Sequence, residues 1–178
     1  PIIINGQNKT VTLKNDGSNT HFIGLFQNGN NSVHGQRDIT IQNFKIDGET
    51  NTVTLVERGG WLCQQYYSYN AFNNKIENCS SKGELKHYCG GICGSDVAIN
   101  SGNITITDCN YSGKIDGDFS GGICGSFAGN TGNLTITKCY STGTLGTHVA
   151  SGGICGYGSG NGKDSYVRIT NCHSTFKF

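Results

Sequence analysis

The pentapeptide Gly90-Gly91-Ile92-Cys93-Gly94 decides the fold, because it occurs twice more, as Gly121-Gly122-Ile123-Cys124-Gly125 and Gly152-Gly153-Ile154-Cys155-Gly156. Both intervals are 31 residues, and a fixed interval of about 20–50 residues is typical of solenoids and repeat arrays. The flanking segments repeat too: Asn-Ile-Thr-Ile-Thr-Asp-Cys at 103–109 has counterparts at 133–139 and 166–172. The chain is therefore predicted to be a stack of similar coils.

The apolar residues inside each repeat have the spacing of a strand. Ile104 and Ile106 alternate with Thr105 and Thr107, the period-two pattern of a half-buried β-strand, and no stretch has the apolar spacing of a helix. We therefore expect an all-β, single-stranded parallel β-helix of about five coils and about 31 residues per coil. We expect it to be right-handed, because parallel crossover connections prefer that hand.

The repeats define one domain over residues 1–178, with atypical N-terminal coils at 1–58, an irregular aromatic-rich coil at 59–89 and three regular repeats at 90–178. Terminal coils of solenoids are commonly atypical. Gly24-Leu25-Phe26 aligns with Gly91-Ile92-Cys93, whereas the segment 59–63, Gly-Gly-Trp-Leu-Cys, resembles the pentapeptide with one extra residue. Glycine pairs such as Gly121-Gly122 are expected at corners with a positive φ.

Seven of the nine cysteines fall in two columns of the repeat. One column contains Cys79, Cys109, Cys139 and Cys172; the other contains Cys93, Cys124 and Cys155, with Cys63 near it and Cys89 outside both. An odd number excludes complete disulfide pairing within one chain. Phe44 aligns with Cys109 and Phe26 with Cys93, so we interpret the columns as structural ladders of small buried side chains.

Composition and charge exclude some partners. The net charge is +1 with 13 scattered Lys and Arg residues, which gives no basic stripe for nucleic acid. No apolar run reaches the length of about 18 residues needed to span a bilayer. We therefore expect neither nucleic acid nor a membrane span.

The pentapeptide, a turn rich in Gly, Asn and Ser, and the Ile-Thr-Asx/Lys-Cys segment together resemble a known class of repeats. The pattern resembles the Gly-Ile-Cys-Gly repeat proteins of large DNA viruses of amoebae and is similar to the Gly-Leu-rich repeats of bacterial surface adhesins. The likeness covers about residues 59–178. It implies a β-helix with a structural or adhesive role, a place in a virion (capsid or surface) or at an extracellular surface, and other structural proteins or surface glycans as partners. It brings no catalytic residue.

A polysaccharide lyase or glycosidase is the enzymatic alternative, and it needs two or three carboxylates close together. In a stack of coils, two side chains lie close together when they occupy the same repeat position in adjacent coils. Asp116 aligns with Lys86 and Gly146, and Asp116 and Asp118 share a glycine-rich turn. No carboxylate column forms, and we expect no catalytic residue and no enzyme activity.

Metal and nucleophile sites are also weakly supported. Cys89 and Cys93 form one Cys-x3-Cys pair with His87 nearby, but a column places its ligands in a line, whereas zinc needs four that converge. His87 and Cys89 as base and nucleophile lack a third group. We expect no metal and no cofactor.

Two surfaces remain as candidates for binding. The threonines at 105, 107, 135 and 137 suggest an ice-binding array, but Gln42, Lys75, Glu77 and Arg168 interrupt its columns. The aromatic stretch forms a candidate interaction surface for a protein or a sugar, unless it covers the stack locally; its members are Trp61, Tyr66, Tyr67, Tyr69 and Phe72. The overall expectation is a non-catalytic structural module, with an adhesin or carbohydrate-binding module and the enzyme as alternatives.

Overall fold

A computed structural model describes residues 1–14, 21–48, 53–147 and 149–177. Within these residues the chain forms strands, turns and loops and no helix. The strands are β1 (Ile2–Asn5), β2 (Thr10–Thr12), β3 (His21–Phe22), β4 (Ile39–Gln42), β5 (Lys45–Asp47), β6 (Thr54–Leu55), β7 (Asn74–Glu77), β8 (Ser80–Lys82), β9 (Asn103–Thr107), β10 (Asn110–Ile115), β11 (Asn133–Thr137), β12 (Tyr140–Leu145), β13 (Tyr166–Thr170) and β14 (His173–Lys177).

The strands stack into a parallel β-solenoid of about five turns. The first sheet has the order β1-β4-β7-β9-β11-β13 and the second has the order β2-β5-β8-β10-β12-β14. The third side consists of β3, β6 and single parallel bridges that join Phe26, Cys63, Cys93, Cys124 and Cys155 in succession. The all-β parallel solenoid predicted from the repeat is confirmed, and its handedness stays a prediction.

The coils differ in length at the N-terminal end. In the first sheet Ile2 pairs with Ile39 and Thr40 with Lys75, so the first two coils advance by 37 and 35 residues. Later coils advance by 30, 30 and 33 residues. The mean is therefore about 33 rather than the expected 31, because the interval between pentapeptides samples only the shorter coils. We number the coils 1 to 5 from the strand that opens each one in the first sheet: β1, β4, β7, β9 and β11.

A ladder of isoleucines forms the core behind the first sheet. Ile41, Ile76, Ile106 and Ile136 stack on one another through the strand register, and none of the four is exposed to solvent. Each buried isoleucine side chain contributes roughly 1.5–3 kcal/mol relative to an exposed one. The alternation of Ile with Thr that predicted the strands is thus an alternation between core and surface.

The pentapeptide glycines are required by close approach. A Cβ on Gly90 would collide with the carbonyl oxygen of Cys93, and a Cβ on Gly94 would collide with that of Arg58 in the preceding coil. A Cβ on Gly91 would lie 2.5 Å from Cγ of Tyr111. The expected positive φ is wrong for the pair Gly121-Gly122, which lies outside the left-handed residues.

The left-handed corner positions are held mostly by other residue types. The corner between the first and second sheets has φ between 50° and 60° at five stacked residues, Asn43, Asn78, Asp108, Lys138 and Asn171. Asn and Asp tolerate this conformation better than most side chains. Asn78 also donates from Nδ2 to Oδ1 of Asn43 at 2.6 Å, which ties neighbouring corners together.

Trp61 takes the place of the second pentapeptide glycine in coil 2. Gly60 pairs with Gly90 and Cys63 with Cys93, so this segment contains no extra residue and that expectation is wrong. The Trp61 ring fills the space over Gly48 and Gly83, where a Cβ would overlap it. Further along the stack the large and the small residue exchange places. There the large residue, Tyr111, belongs to the second sheet and extends toward the pentapeptide glycine Gly91.

Candidate functional site

The two cysteine columns form where the repeat places them. Cys63, Cys93, Cys124 and Cys155 are joined by bridges on the third side, in line with Phe26. The other column stacks Cys79, Cys109, Cys139 and Cys172 at the corner after the first sheet, in line with Phe44. All nine thiols are free, and only Cys155 and Cys172, at the C-terminal end of the stack, are partly exposed.

Burial raises the pKa of four of the buried thiols. Removal from water raises the pKa of Cys63, Cys93 and Cys109, and it raises the pKa of Cys89 to about 12. The thiolate is the nucleophile and the metal ligand. These four thiols are therefore protonated at neutral pH and chemically inert in the folded chain.

Cys89 belongs to a third column that the sequence pattern did not single out. It aligns with Ser120 and Ser151, each directly before a Gly-Gly pair, and Ser120 is hydrogen-bonded to its neighbours above and below. Cys89 donates from Sγ to the Val56 carbonyl at 3.2 Å, and Ser151 donates to the Gly117 carbonyl at 2.8 Å. The column therefore ties each coil to the preceding one.

The structure does not bring His87 and Cys89 together as a base and nucleophile. Cys89 is fully buried, whereas the His87 side chain is exposed and lies 3.6 Å from an Asp118 carboxylate oxygen. Among the described residues no group of three or more His, Cys, Asp or Glu side chains has the geometry to hold a metal ion.

The aromatic stretch does not form one surface. Trp61 and Tyr67 are buried to 0% and 1% exposure, so their assignment to an exposed interaction surface is wrong. Both lie in the interior of coil 2, where the Trp61 ring stacks on Phe22 with centroids 5.9 Å apart. Tyr66 and Tyr69 are half-buried and form an edge-to-face pair at 6.3 Å, and Phe72 is 45% exposed.

The acidic residues near Asp116 alternate with lysines on the surface. Glu84 pairs with Lys86 at 2.9 Å, and Asp116 pairs with Lys114 at 2.7 Å and with Lys86 at 3.7 Å. Lys86 and Lys114 each contact both carboxylates, so the two negative charges are balanced by two positive charges. The arrangement is that of an ion-pair network on the surface, which contributes little stability per pair.

The outward threonines form a short patch on the first sheet. Thr105 stacks on Thr135, and Thr107 stacks on Thr137 and then Thr170, with the Thr137 and Thr170 hydroxyls 2.9 Å apart. Lys75, Glu77 and Arg168 occupy the adjacent places in these columns. The charged residues interrupt the array as the sequence predicted.

A notch opens on the third side because coil 1 lacks a turn that coil 2 has. Phe22 pairs with Leu55 and Phe26 with Cys63, so residues 23–25 of coil 1 face residues 56–62 of coil 2. The additional residues form a turn over residues 56–59, closed by the Gly59 amide, which donates to the Val56 carbonyl at 2.9 Å. This turn therefore projects beyond coil 1.

The notch has a volume of about 210 Å³. Its apolar wall consists of Ile23 and Val56, and Tyr66 lines another part of it. Its polar side chains are Gln27, Glu57, Gln64 and Gln65. The repeat period could not predict this site, because the notch exists where the repeat is broken.

A half-buried ion pair supports one edge of the notch. Gln65 donates from Nε2 to Oδ2 of Asp96 at 2.9 Å, and Arg58 Nη1 lies 3.6 Å from the same oxygen. The Arg58 guanidinium also lies over the Tyr88 ring, 4.6 Å from its centroid. Burial raises the pKa of the Asp96 carboxyl. These contacts hold Gln65 and Arg58 in fixed positions.

Comparison with known proteins adds no relative to this description. The chain matches no protein-family model, no curated protein and no solved structure. In the part of the chain that the structure describes, no helix has the length and apolar character to cross a membrane. The class of protein rests on the fold itself, a parallel β-solenoid.

Proposed function

We propose that this protein is a non-catalytic structural module of a larger assembly, a virion or an extracellular surface layer. The observation that carries the proposal is the continuous register of the coils, with isoleucine and cysteine ladders filling the interior. In such a stack the strands of one coil are hydrogen-bonded to the strands of the next. The stack resists bending, because bending would lengthen many of these hydrogen bonds together.

The surface charges support a structural role over a hydrolytic one. Acid–base cleavage of a glycosidic bond requires two carboxylates that flank the substrate. Glu84 and Asp116 instead contact Lys86 and Lys114. We propose other structural proteins as the partners of such a module.

The proposal is tested by locating the protein in its native source. Particles and cell envelopes are separated by density, and the peptides of this chain are quantified against a known component of each fraction. Recovery in a fixed ratio to a virion or envelope protein is expected. Recovery as a free protein, with no particle-bound pool, would overturn the proposal.

A further inference from the structure

We propose that the notch between coils 1 and 2 binds a single saccharide unit through hydrogen bonds from the sugar hydroxyls. The site goes beyond a structural role, because a rigid stack does not need it. It lies where the turn over residues 56–59 has no counterpart in coil 1, so the third side is open there to a ligand.

Three glutamines supply the acceptors. Gln64 donates from Nε2 to the Gly24 carbonyl at 3.0 Å, Gln65 donates to Asp96 at 2.9 Å, and Gln27 donates to the Gly29 carbonyl. With each amide nitrogen engaged by the protein, the orientation of each side chain is fixed. No described residue donates to the three Oε1 atoms, which leaves three carbonyl acceptors at the notch.

Glu57 adds a carboxylate to the same notch. Its side chain is exposed and has no hydrogen bond or ion pair to any residue that the structure describes. Three amide carbonyls and one carboxylate accept hydrogen bonds, while Gln64 and Gln65 each keep a second Nε2 hydrogen that can donate. A ligand that fits the notch must both donate and accept several hydrogen bonds, as the hydroxyls of a sugar do.

The remaining walls suit the apolar face of a sugar ring. Ile23 and Val56 are apolar, and Tyr66 combines an aromatic ring with a hydroxyl. The volume of about 210 Å³ lies below the range of roughly 300–1,000 Å³ typical of pockets for drug-sized ligands. The notch therefore accommodates one ring rather than an oligosaccharide.

The hydrogen-bonding groups favour a sugar over an ammonium ion, which is also a donor. An ammonium ion cannot accept a hydrogen bond, so it would leave the second Nε2 hydrogens of Gln64 and Gln65 without a ligand partner. A sugar hydroxyl both donates and accepts and can therefore satisfy both kinds of group. The larger hollow beside Asn73 is a poorer site, because its buried Asn74 amide already has partners for both polar atoms.

The experiment is a titration of the ¹⁵N-labelled protein with the methyl glycosides of glucose, galactose, mannose and N-acetylglucosamine. At least one of them is expected to shift the side-chain amide signals of Gln27, Gln64 and Gln65 and the backbone amide of Tyr66. A single sugar ring has few atoms, so the expected dissociation constant is about 1 mM. No shift with any of the four sugars, or shifts confined to other surfaces, would overturn the proposal.

Variants separate the proposed site from non-specific binding. Gln27→Ala removes one acceptor, and Tyr66→Ala removes the ring; each is expected to weaken binding by about threefold to tenfold. Tyr157→Ala is the matched control, since Tyr157 is 51% exposed in the last coil and away from the notch. Equal weakening by Tyr157→Ala would contradict the assignment.

Glu57→Gln distinguishes a saccharide from an ammonium ligand. The glutamine keeps an acceptor and removes the charge, so sugar affinity is expected to change by less than about threefold. Methylammonium, whose N–H groups can donate hydrogen bonds, is titrated in parallel as the cationic probe. If it binds at the notch more tightly than all four sugars, and Glu57→Gln abolishes that binding, the site is a cation site and the saccharide proposal is wrong.

Discussion

At the residue scale, neighbouring coils fill the interior with side chains of complementary size. Trp61 occupies the space that Gly48 and Gly83 leave open, and Tyr111 extends toward Gly91 in the same way. Thiols fill the aligned positions of the cysteine columns, and all of them except Cys155 and Cys172 are buried. The interior is therefore specified by pairs of large and small residues, and a cysteine here acts as a small apolar side chain.

The raised pKa of Cys89 predicts a loss of stability in alkali. Its pKa is about 12 in the folded chain and about 8.5 when unfolded, so the unfolded chain releases this proton first as the pH rises. The stabilising contribution is complete below about pH 8.5 and is lost progressively toward pH 12. Between about pH 7.5 and 9.5 the Cys89 thiol should account for about 1.4 kcal/mol of lost unfolding free energy.

Urea unfolding of the wild type and Cys89→Ser at both pH values measures this contribution. Serine is tolerated at the aligned residues Ser120 and Ser151, and it does not titrate, so the variant should lose about 1.4 kcal/mol less over this range. Cys172→Ser is the control, because Cys172 is only partly buried and its replacement should alter the pH dependence less. Parallel pH profiles for the wild type and Cys89→Ser would contradict the prediction.

At the element scale, each coil is made of short strands joined by fixed corners. The strands β9 and β11 pair in register from Asn103 with Asn133 to Thr107 with Thr137. The corner after each of the first-sheet strands β4, β7, β9, β11 and β13 repeats one left-handed residue. Regular strands and regular corners together keep every coil in register with the next.

Lys138→Asn is expected to stabilise the protein by about 0.5–1 kcal/mol. Lys138 has a φ of 53° in a column where Asn43, Asn78 and Asn171 are the more compatible residues. Asparagine lowers the cost of the left-handed conformation and can donate along the column as Asn78 does. Chemical denaturation, with the midpoint and slope fitted together, measures the gain.

Lys75→Asn is the matched control for this substitution. Lys75 lies in the extended strand β7 with an exposed side chain, where asparagine is a poor strand residue. The same chemical change should therefore give no gain there. A stabilisation by Lys138→Asn that is no greater than the effect of Lys75→Asn would show that the corner conformation is not the cause.

The regular parts of the fold could be predicted from the sequence, because in-register stacking repeats the same residue types. The period of the pentapeptide and the Ile–Thr alternation define the strands, the columns and the alignment of Phe26 and Phe44 with cysteines. The interior position of Trp61 and Tyr67 could not be predicted, because the regular repeats have no aromatic residue in either place. The Trp61 ring depends on the space over Gly48 and Gly83, which lie far from it in the sequence. The notch was missed because it depends on a turn that coil 1 lacks, and a repeat pattern describes only what recurs.

At the scale of the whole molecule, stability depends on how many neighbours a coil has. Strands β9 and β11 each pair on both sides, whereas among the strands that the structure describes β1 pairs only with β4 and β14 only with β12. Core-facing residues at the ends are correspondingly more exposed: Ile2 is 56% and Ile169 is 45% accessible, against 0% for Ile106. In such a stack the end coils open more readily than the central ones.

Amide hydrogen exchange should therefore be slowest in the centre of the stack. Peptides that cover β9 and β11 are expected to exchange at least about tenfold more slowly than peptides that cover β1 and β14, because opening a central coil breaks two interfaces instead of one. Exchange followed by mass spectrometry measures the difference. Uniform protection along the chain would indicate a single cooperative unit and contradict this prediction.

The in-register pairing of β9 with β11 has a consequence for length. An exact duplication of one 30-residue unit, such as residues 103–132, supplies the same columns to the coil above and the coil below. Chain length can then change in whole coils, each of which adds about 4.8 Å to the height of the stack. Five turns make a stack about 24 Å tall. Its height can therefore change only in steps of one strand spacing.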